Sequence, residues 1–259
     1  MSPAPRLLHV IAALVLLLAA TIPAARTPAP ALAAAPASKP LAGKVIALDP
    51  GHQLGNSHHL AQIRRTVDAG GLSKPCNTSG TETNSGFPES AFTMSVANHL
   101  RDRLVAQGAT VHLTRLREST NLWGPCVNVR GQYSGKVHSD VLVSIHADGT
   151  PSRFSGFFVI RPAYRKGITD DIYATSRTFS SHVRAGLDTT LTRANYEGGD
   201  GYDTRNDMGT LNLSSAPAVM VELGNMRNAT DAAHMRSDAY RDDVYAAGLA
   251  RGVTSYLTR

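Results

Sequence analysis

Four residues of this 259-residue chain have the side-chain types that hydrolytic metal sites use: His52, Glu89, His146 and Glu222. Catalytic zinc sites take imidazole nitrogen and carboxylate oxygen from three protein ligands and leave a fourth position open. His52, Glu89 and His146 therefore form a candidate zinc-binding set. Glu222 follows an apolar run, where a carboxylate is costly to desolvate unless it has a partner or a chemical role. It is the fourth candidate site residue.

Each of these residues also has an ordinary structural interpretation. A histidine after an Asp-Pro-Gly turn, such as His52, is commonly a polar loop residue. Glu89 lies in the first turn of a predicted helix, where the positive end of the helix dipole favours a carboxylate whatever its role. His146 would serve equally as a hydrogen-bonded histidine at a strand end. The convergence of the four, rather than any one of them, favours a site.

The elements that would position these residues alternate between strand and helix. The hydrophobic pattern predicts strands over 44–48, 109–114, 141–145, 156–160 and 218–221, and helices over 89–107, 172–187 and 242–257. This order predicts a single α/β domain with a central, mostly parallel sheet and helices on both faces. In such sheets ligands bind outside the carboxyl ends of the strands. His52, His146 and Glu222 each come at or just past the end of an apolar run, so we expect them at one rim.

The first 40 residues are predicted to lie outside this domain. Arg6 precedes an apolar run from Leu7 to Ala20, which is short for a membrane span, and a small-residue site at 31–33 follows. We interpret residues 1–40 as a secretory leader and a Pro/Ala-rich spacer, with an uncleaved membrane anchor as the alternative. Residues 41–259 then form the catalytic domain. It is expected to be exported to the periplasm, cell wall or extracellular space, without stable membrane insertion after leader cleavage.

The cysteines and the charge agree with an exported protein. The chain has two cysteines, Cys76 and Cys126, and an even count in an oxidising compartment favours a disulfide over metal binding or catalysis. Such a bridge would join two polar loops that we expect to flank the site. The net charge of +6 includes three positive charges from the first forty residues. Without clustered Lys/Arg and interleaved aromatics it does not indicate nucleic-acid binding, and it suits a polyanionic cell envelope.

The segments around these residues resemble the zinc-dependent N-acetylmuramoyl-L-alanine amidases, the amidase type 3 family. The resemblance covers nearly all of residues 41–259. The matching segments are Leu48-Asp-Pro-Gly-His52, Glu89-Ser-Ala-Phe-Thr-Met-Ser-Val-Ala, Gly108-Ala-Thr-Val-His-Leu-Thr-Arg115, Ser144-Ile-His146-Ala-Asp and Pro217-Ala-Val-Met-Val-Glu222-Leu-Gly-Asn-Met-Arg-Asn-Ala-Thr-Asp231. The nearest likeness is to compact, exported mycobacterial-type members that lack a wall-binding domain and carry a disulfide. Where the family commonly has glycines after the first histidine, this chain has Gln53-Leu54-Gly55 and a long insertion through Gly86.

The resemblance implies both a reaction and roles for the four residues. His52, Glu89 and His146 would hold Zn²⁺, and Glu222 would be the catalytic glutamate. The implied reaction hydrolyses the amide that joins the lactyl group of N-acetylmuramic acid to the L-alanine of the stem peptide in peptidoglycan. Zinc would polarise the carbonyl and acidify a water molecule, while Glu222 would transfer protons. A monomer is expected.

Three further residues are candidates for substrate contact. They are Arg205, which could pair with a stem-peptide carboxylate, and the neighbouring His58 and His59. Solvated loop residues are the alternative interpretation for all three. Two other functions also stay open: a zinc peptidase acting on stem-peptide bonds, and a non-enzymatic wall-binding module. The second is disfavoured, because a binding module has no need of an acid beside a metal.

Overall fold

A six-stranded sheet organises the part of the chain that the computed structural model describes, residues 39–259 without Gly198. The strands are β1 (Val45–Pro50), β2 (Thr66–Asp68), β3 (Ser73–Pro75), β4 (Thr110–Leu113), β5 (Val141–Asp148), β6 (Phe158–Pro162), β7 (Tyr202–Arg205) and β8 (Ala218–Asn225). The sheet order is β4-β1-β5-β8-β6-β7, and β2 and β3 form a separate antiparallel hairpin. Within the sheet only the β6–β8 pair is antiparallel among the described strands. The predicted leader and nearly all of the spacer lie outside the described residues.

Helices cover both faces of the sheet. They are α1 (Leu60–Ile63), α2 (Glu89–Ala106), α3 (Val127–Lys136), α4 (Tyr173–Asp188), α5 (Gly209–Asn212), α6 (Ala229–Arg236), α7 (Asp238–Tyr240) and α8 (Ala247–Leu257). A 3₁₀ turn spans Leu54–His58, and a π-helical turn over Arg241–Ala246 precedes α8. None of the helices in the described residues is long and apolar enough to cross a membrane.

Alternation along the strands divides the apolar residues between two cores. In β8, Val219 and Val221 belong to the larger core, which contains residues of α2, α4 and α8, whereas Met220 belongs to the smaller core. The smaller core also contains Leu211 of α5, with Tyr133 of α3 packed against it. Strands buried on both faces explain why their sequences read as continuous apolar runs. The predicted single α/β domain with a mostly parallel sheet and helices on both faces is confirmed.

Several element boundaries differ from the sequence prediction. β5 and β8 continue past their predicted ends at 145 and 221, so His146 and Glu222 lie within strands rather than beyond them. The reason is that backbone pairing continues through His146 and Glu222, which face each other in register, although their side chains are polar. The hydrophobic pattern also failed to predict the β2–β3 hairpin, α3 and β7, because these elements are short or largely polar.

Candidate metal centre

The three side chains predicted to bind a metal come from three elements and meet at one point. His52 follows the end of β1, Glu89 is the first residue of α2, and His146 lies within β5. His52 Nε2 lies 3.1 Å from Glu89 Oε2, and His146 Nδ1 lies 3.0 Å from Glu89 Oε1. One ligand atom from each residue lies within 4.8 Å of the other two. The donor set and its spacing allow the three residues to share one metal ion.

A backbone carbonyl orients the His52 ring. His52 Nδ1 lies 3.1 Å from the carbonyl oxygen of Thr78, which also accepts a hydrogen bond from Asn56 Nδ2 at 2.7 Å. Because a carbonyl can only accept, Nδ1 carries a proton, so Nε2, which faces Glu89, is the nitrogen that can give up its proton and bind a metal. Metal-binding histidines usually donate their other ring N–H to a carboxylate, a backbone carbonyl or a water, and the His52–Thr78 contact is of this kind. The residues present therefore fit a metal ion.

Backbone N–H groups hold the Glu89 carboxylate in place. Thr81 N donates to Oε2 at 3.0 Å, and Ala147 N donates to Oε1 at 3.1 Å. Burial alone would raise the pKa of Glu89, but the neighbouring His52 and His146 rings hold that pKa well below its ordinary value. Glu89 is thus an ionised carboxylate with both oxygens already engaged.

Two glycines let the backbone approach this cluster closely. A Cβ atom on Gly51 would lie 2.4 Å from Cε1 of His146. A Cβ atom on Gly80, whose φ is +82°, would lie 3.0 Å from Glu89 Oε2 and from Cγ of His52. Any other residue at either position would displace a candidate ligand, which gives the Asp-Pro-Gly-His motif a steric reason for its glycine.

Glu222 lies on β8, the strand beside the one that carries His146. The two residues pair in register, and the Glu222 side chain lines the same cavity as the three candidate ligands. Oε2 of Glu222 is buried and has no hydrogen-bond partner among the described residues. Burial raises the pKa of Glu222 well above its ordinary value, and the charges of Glu89 and Asp148 act in the same direction. A buried acid without a partner is costly, which favours a chemical role.

A buried arginine, Arg130 of α3, fixes the turn that presents His52. Its guanidinium makes five hydrogen bonds, which use all five of its N–H donors. The acceptors are the Asp49 carboxylate and the carbonyl oxygens of Pro50, His52, Gly124 and Pro125. His52 has a φ of 56°, in the left-handed region that is unfavourable for a residue with a Cβ atom. The bond from Arg130 to the His52 carbonyl helps to stabilise that conformation.

A second buried arginine, Arg115, connects the backbone next to two candidate ligands. Its Nη2 donates to the carbonyl oxygen of Gly51 at 2.9 Å and to that of Ser90 at 2.8 Å. Gly51 precedes His52 and Ser90 follows Glu89, so one guanidinium joins the end of β1 to the start of α2. The sequence motifs include Arg115, but they do not indicate this contact.

A cavity of about 400 Å³ lies over the candidate ligands and Glu222. One part of its wall is the insertion after the first histidine, which contributes Lys74, Pro75, Asn77, Thr78, Gly80 and Thr81. The loop between β7 and α5 contributes Asp207 and Met208. Neither Lys74 nor Asp207 belongs to a motif that indicates a site, so the sequence alone does not predict them.

The predicted disulfide between Cys76 and Cys126 is confirmed. Cys76 directly follows β3, and Cys126 directly precedes α3. The neighbouring Pro75, Asn77 and Val127 line the cavity. The bridge therefore joins two parts of the cavity wall, in agreement with the expectation that it flanks the site.

The three candidates for substrate contact are not among the residues that line this cavity. His58 is exposed at the end of the 3₁₀ turn, and His59 is half-buried beside it. The Arg205 guanidinium lies against the carboxylates of Asp207 and Asp203. Arg205 thus contacts a cavity-lining residue without lining the cavity itself.

Comparison with known proteins agrees with the site. The model of the Amidase_3 family, N-acetylmuramoyl-L-alanine amidase, matches residues 46–255. The chain belongs to this family. The amidase is 40% identical over 220 residues to N-acetylmuramoyl-L-alanine amidase Rv3717 of Mycobacterium tuberculosis, an alignment covering 84% of this chain and 88% of the relative.

Solved structures show the same fold. The amidase superposes on the N-acetylmuramyl-L-alanine amidase Ami1 of Mycobacterium smegmatis with a TM-score of 0.77 and 35% identity, covering 84% of this chain and 98% of the other. Ami1 of Mycobacterium abscessus gives a TM-score of 0.77 and 36% identity, covering 84% of this chain and all of the other. The predicted family resemblance is confirmed. The reaction class is that of an N-acetylmuramoyl-L-alanine amidase, and peptidoglycan is the material on which the family acts.

Proposed function

We propose that the protein is a zinc-dependent peptidoglycan amidase. In this proposal His52, Glu89 and His146 hold Zn²⁺, and Glu222 is the general base and acid. The observation that carries it is the contrast between the two glutamates. Glu89 has both oxygens engaged, whereas Glu222 presents a buried, unpartnered Oε2 to the same cavity. Only Glu222 is free to exchange protons.

The donor chemistry favours zinc over magnesium and calcium. Two imidazoles and one carboxylate are a ligand set of catalytic zinc sites, whereas Mg²⁺ and Ca²⁺ prefer sets made of oxygen alone. A zinc ion held by His52, Glu89 and His146 would supply Lewis-acid chemistry: it would polarise the scissile carbonyl and make water a better nucleophile at neutral pH. The Thr78 carbonyl and the backbone N–H groups of Thr81 and Ala147 orient the ligands for that ion.

Glu222 moves the protons in this mechanism. Its carboxylate takes a proton from the attacking water and returns one to the amine of L-alanine as the amide breaks. The burial that raises its pKa favours proton uptake, and a nearby cation would lower that pKa again, towards the working pH. Because its Oε2 is held by no other described residue, proton transfer requires no protein hydrogen bond at that atom to break.

The location and assembly follow from the substrate. Peptidoglycan lies outside the cytoplasmic membrane, so residues 1–40 are proposed to export the catalytic domain of residues 41–259. The disulfide supports an oxidising compartment. All four proposed site residues come from one chain, which is compatible with a monomer.

Product analysis tests the proposal. Purified protein is incubated with peptidoglycan fragments, with and without a chelator, and the products are identified by mass spectrometry. We expect a free lactyl carboxyl and a stem peptide that begins with the free amine of L-alanine, no cleavage with chelator, and recovery with added Zn²⁺. Shortened stem peptides still attached to the sugar would indicate a peptidase. Full activity in the chelated protein would contradict the metal assignment.

A further inference from the structure

An ion-pair cluster on the cavity wall takes no part in the proposed amide hydrolysis. This rim cluster consists of Lys74 on β3, Arg205 at the end of β7, and Asp207. Lys74 Nζ lies 3.0 Å from Asp207 Oδ2, and both residues line the cavity that holds the candidate metal centre. Arg205 approaches Asp207 with two donors, Nε to Oδ1 at 2.8 Å and Nη2 to Oδ2 at 3.0 Å.

Lys74 is the cation of the cavity lining that has N–H donors without a partner in the described part of the protein. Among the described residues the cavity is lined by two cationic side chains, Lys74 and Arg130. All five N–H donors of Arg130 are engaged, and its side chain is 3% exposed. The Lys74 ammonium has three donors, of which one contacts Asp207, and the side chain is 33% exposed. An anion that enters the cavity can therefore bind Lys74 but not Arg130.

Asp207 does not depend on Lys74 to remain ionised. The two hydrogen bonds from Arg205 contribute most to holding the pKa of Asp207 far below its ordinary value, with Lys74 adding to the effect. If Lys74 turns towards a ligand, Asp207 keeps a bidentate partner. When Lys74 leaves Asp207 and binds the carboxylate of a ligand, no charge on the cavity wall is therefore left unpaired.

The backbone that carries Lys74 is held in place. Two residues further along the chain, Cys76 is bonded to Cys126, and the Cys76 carbonyl accepts a hydrogen bond from Val127 N at 2.7 Å. The β2–β3 pairing holds the other side of the strand. Lys74 can thus move its side chain while the hairpin base stays fixed.

The substrate chemistry indicates which anion enters. On the sugar side of the scissile amide the muramoyl unit is neutral, because its lactyl carboxyl is part of the amide. On the peptide side, L-alanine is followed by a γ-linked D-glutamyl residue whose α-carboxyl is either free or amidated. We propose, on the basis of the proposed function, that Lys74 binds this stem-peptide α-carboxylate and makes the enzyme prefer the free acid over the amide.

A matched pair of substrates and variants tests Lys74. The substrates are muramoyl-L-Ala-D-Glu and its α-amide, muramoyl-L-Ala-D-isoGln, both with the γ-carboxyl blocked as an N-methylamide, because the γ-linked stem residue has no free γ-carboxylate. For the wild type, kcat/KM should be about tenfold higher on the acid, the value of one charge-assisted hydrogen bond. Lys74→Met should lose this preference by a rise in KM for the acid alone, whereas Lys74→Arg should largely keep it. Lys136→Met, an exposed lysine of α3 outside the cavity, is the control and should behave as the wild type.

A binding measurement separates this inference from the proposed function. Titration calorimetry with the same two compounds measures the preference without turnover. It uses the wild type if the compounds are not cleaved, and otherwise variants in a Glu222→Gln background. Stronger binding of the acid that disappears in Lys74→Met supports the inference even if the bond cleaved is another one. An unchanged acid-to-amide ratio in Lys74→Met, in turnover or in binding, overturns it while leaving the amidase proposal intact. Zinc content and unfolding temperature should match the wild type in all Lys74 variants.

Discussion

The candidate metal centre and the rim cluster lie on one cavity but are built differently. Side chains of His52, Glu89 and His146 are 11%, 4% and 15% exposed, whereas Lys74 and Asp207 are 33% and 35% exposed. At the centre, buried arginines and backbone N–H groups hold both the ligands and the backbone beside them. At the rim, salt bridges are open to solvent and can be exchanged.

The contrast matches the two roles proposed for this cavity, which have opposite requirements. Metal-dependent hydrolysis needs ligands held within a fraction of an ångström, which a buried and saturated hydrogen-bond network provides. Substrate selection needs a charge that can leave its protein partner when a ligand arrives, which a partly exposed salt bridge provides because its net strength is small.

Glu222→Gln should have the largest effect while leaving the metal centre intact. The amide cannot accept a proton, so turnover should fall by roughly two to four orders of magnitude, the range for a positioned general base. Zinc content should stay near one ion per chain, measured on the same preparation as the activity. His146→Ala is the matched variant and should lose the metal. Near-normal turnover of Glu222→Gln would make Glu222 structural, and loss of zinc would make it a ligand.

Arg130→Met should lower the free energy of unfolding, and not only the activity. The change leaves Asp49 buried as a carboxylate without its cation, although Thr114 and Ser144 still donate to it. Removing one partner of a buried ion pair typically costs about 3–5 kcal/mol of unfolding free energy, measurable by denaturant titration. Arg101→Met, on the exposed face of α2, should cost less than about 0.5 kcal/mol.

A double variant sharpens this test of Arg130. If Arg130→Met loses stability because the Asp49 carboxylate is left unpaired, Asp49→Asn should recover part of that stability in the Arg130→Met background. Equal costs for Arg130→Met and Arg101→Met would show that the centre is not supported by the buried network.

Reduction of the disulfide tests the connection between the two regions. The bridge closes a loop with a sequence separation of 50, which corresponds to roughly 4 kcal/mol on the chain-entropy model. We expect a lower unfolding temperature after reduction, with zinc retained, because none of the candidate ligands lies on the bridged residues. A Cys76→Ser, Cys126→Ser double variant should reproduce the loss. Two free thiols in the unfolded, unreduced protein would contradict the bridge itself.

The residues of the candidate metal centre could be predicted from the sequence far better than those of the rim cluster. His52, His146 and Glu222 could be placed together because each follows an apolar strand run, and strands of a parallel sheet end at the same edge. Glu89 was predicted only in the first turn of a helix, and its residue type and the family resemblance, rather than the strand pattern, joined it to the other three. No local pattern pairs Lys74 with Asp207, which are 133 residues apart, or Arg130 with Asp49, which are 81 apart. Those contacts exist only after the insertion and α3 have packed against the sheet.

Arg205→Gln should have the smallest effect on stability and still reveal the function of the rim. The Arg205 side chain is 39% exposed, and exposed salt bridges contribute less than about 1 kcal/mol, so denaturant titration should detect little change. Zinc content should be unchanged. Asp207, however, then depends on Lys74 as its cation, so Lys74 is less available to a ligand, and the preference for muramoyl-L-Ala-D-Glu over its amide should fall several-fold. Loss of zinc, or a decrease of several kcal/mol in the free energy of unfolding of this variant, would instead show that the rim cluster supports the candidate metal centre. The two regions would then not be separable.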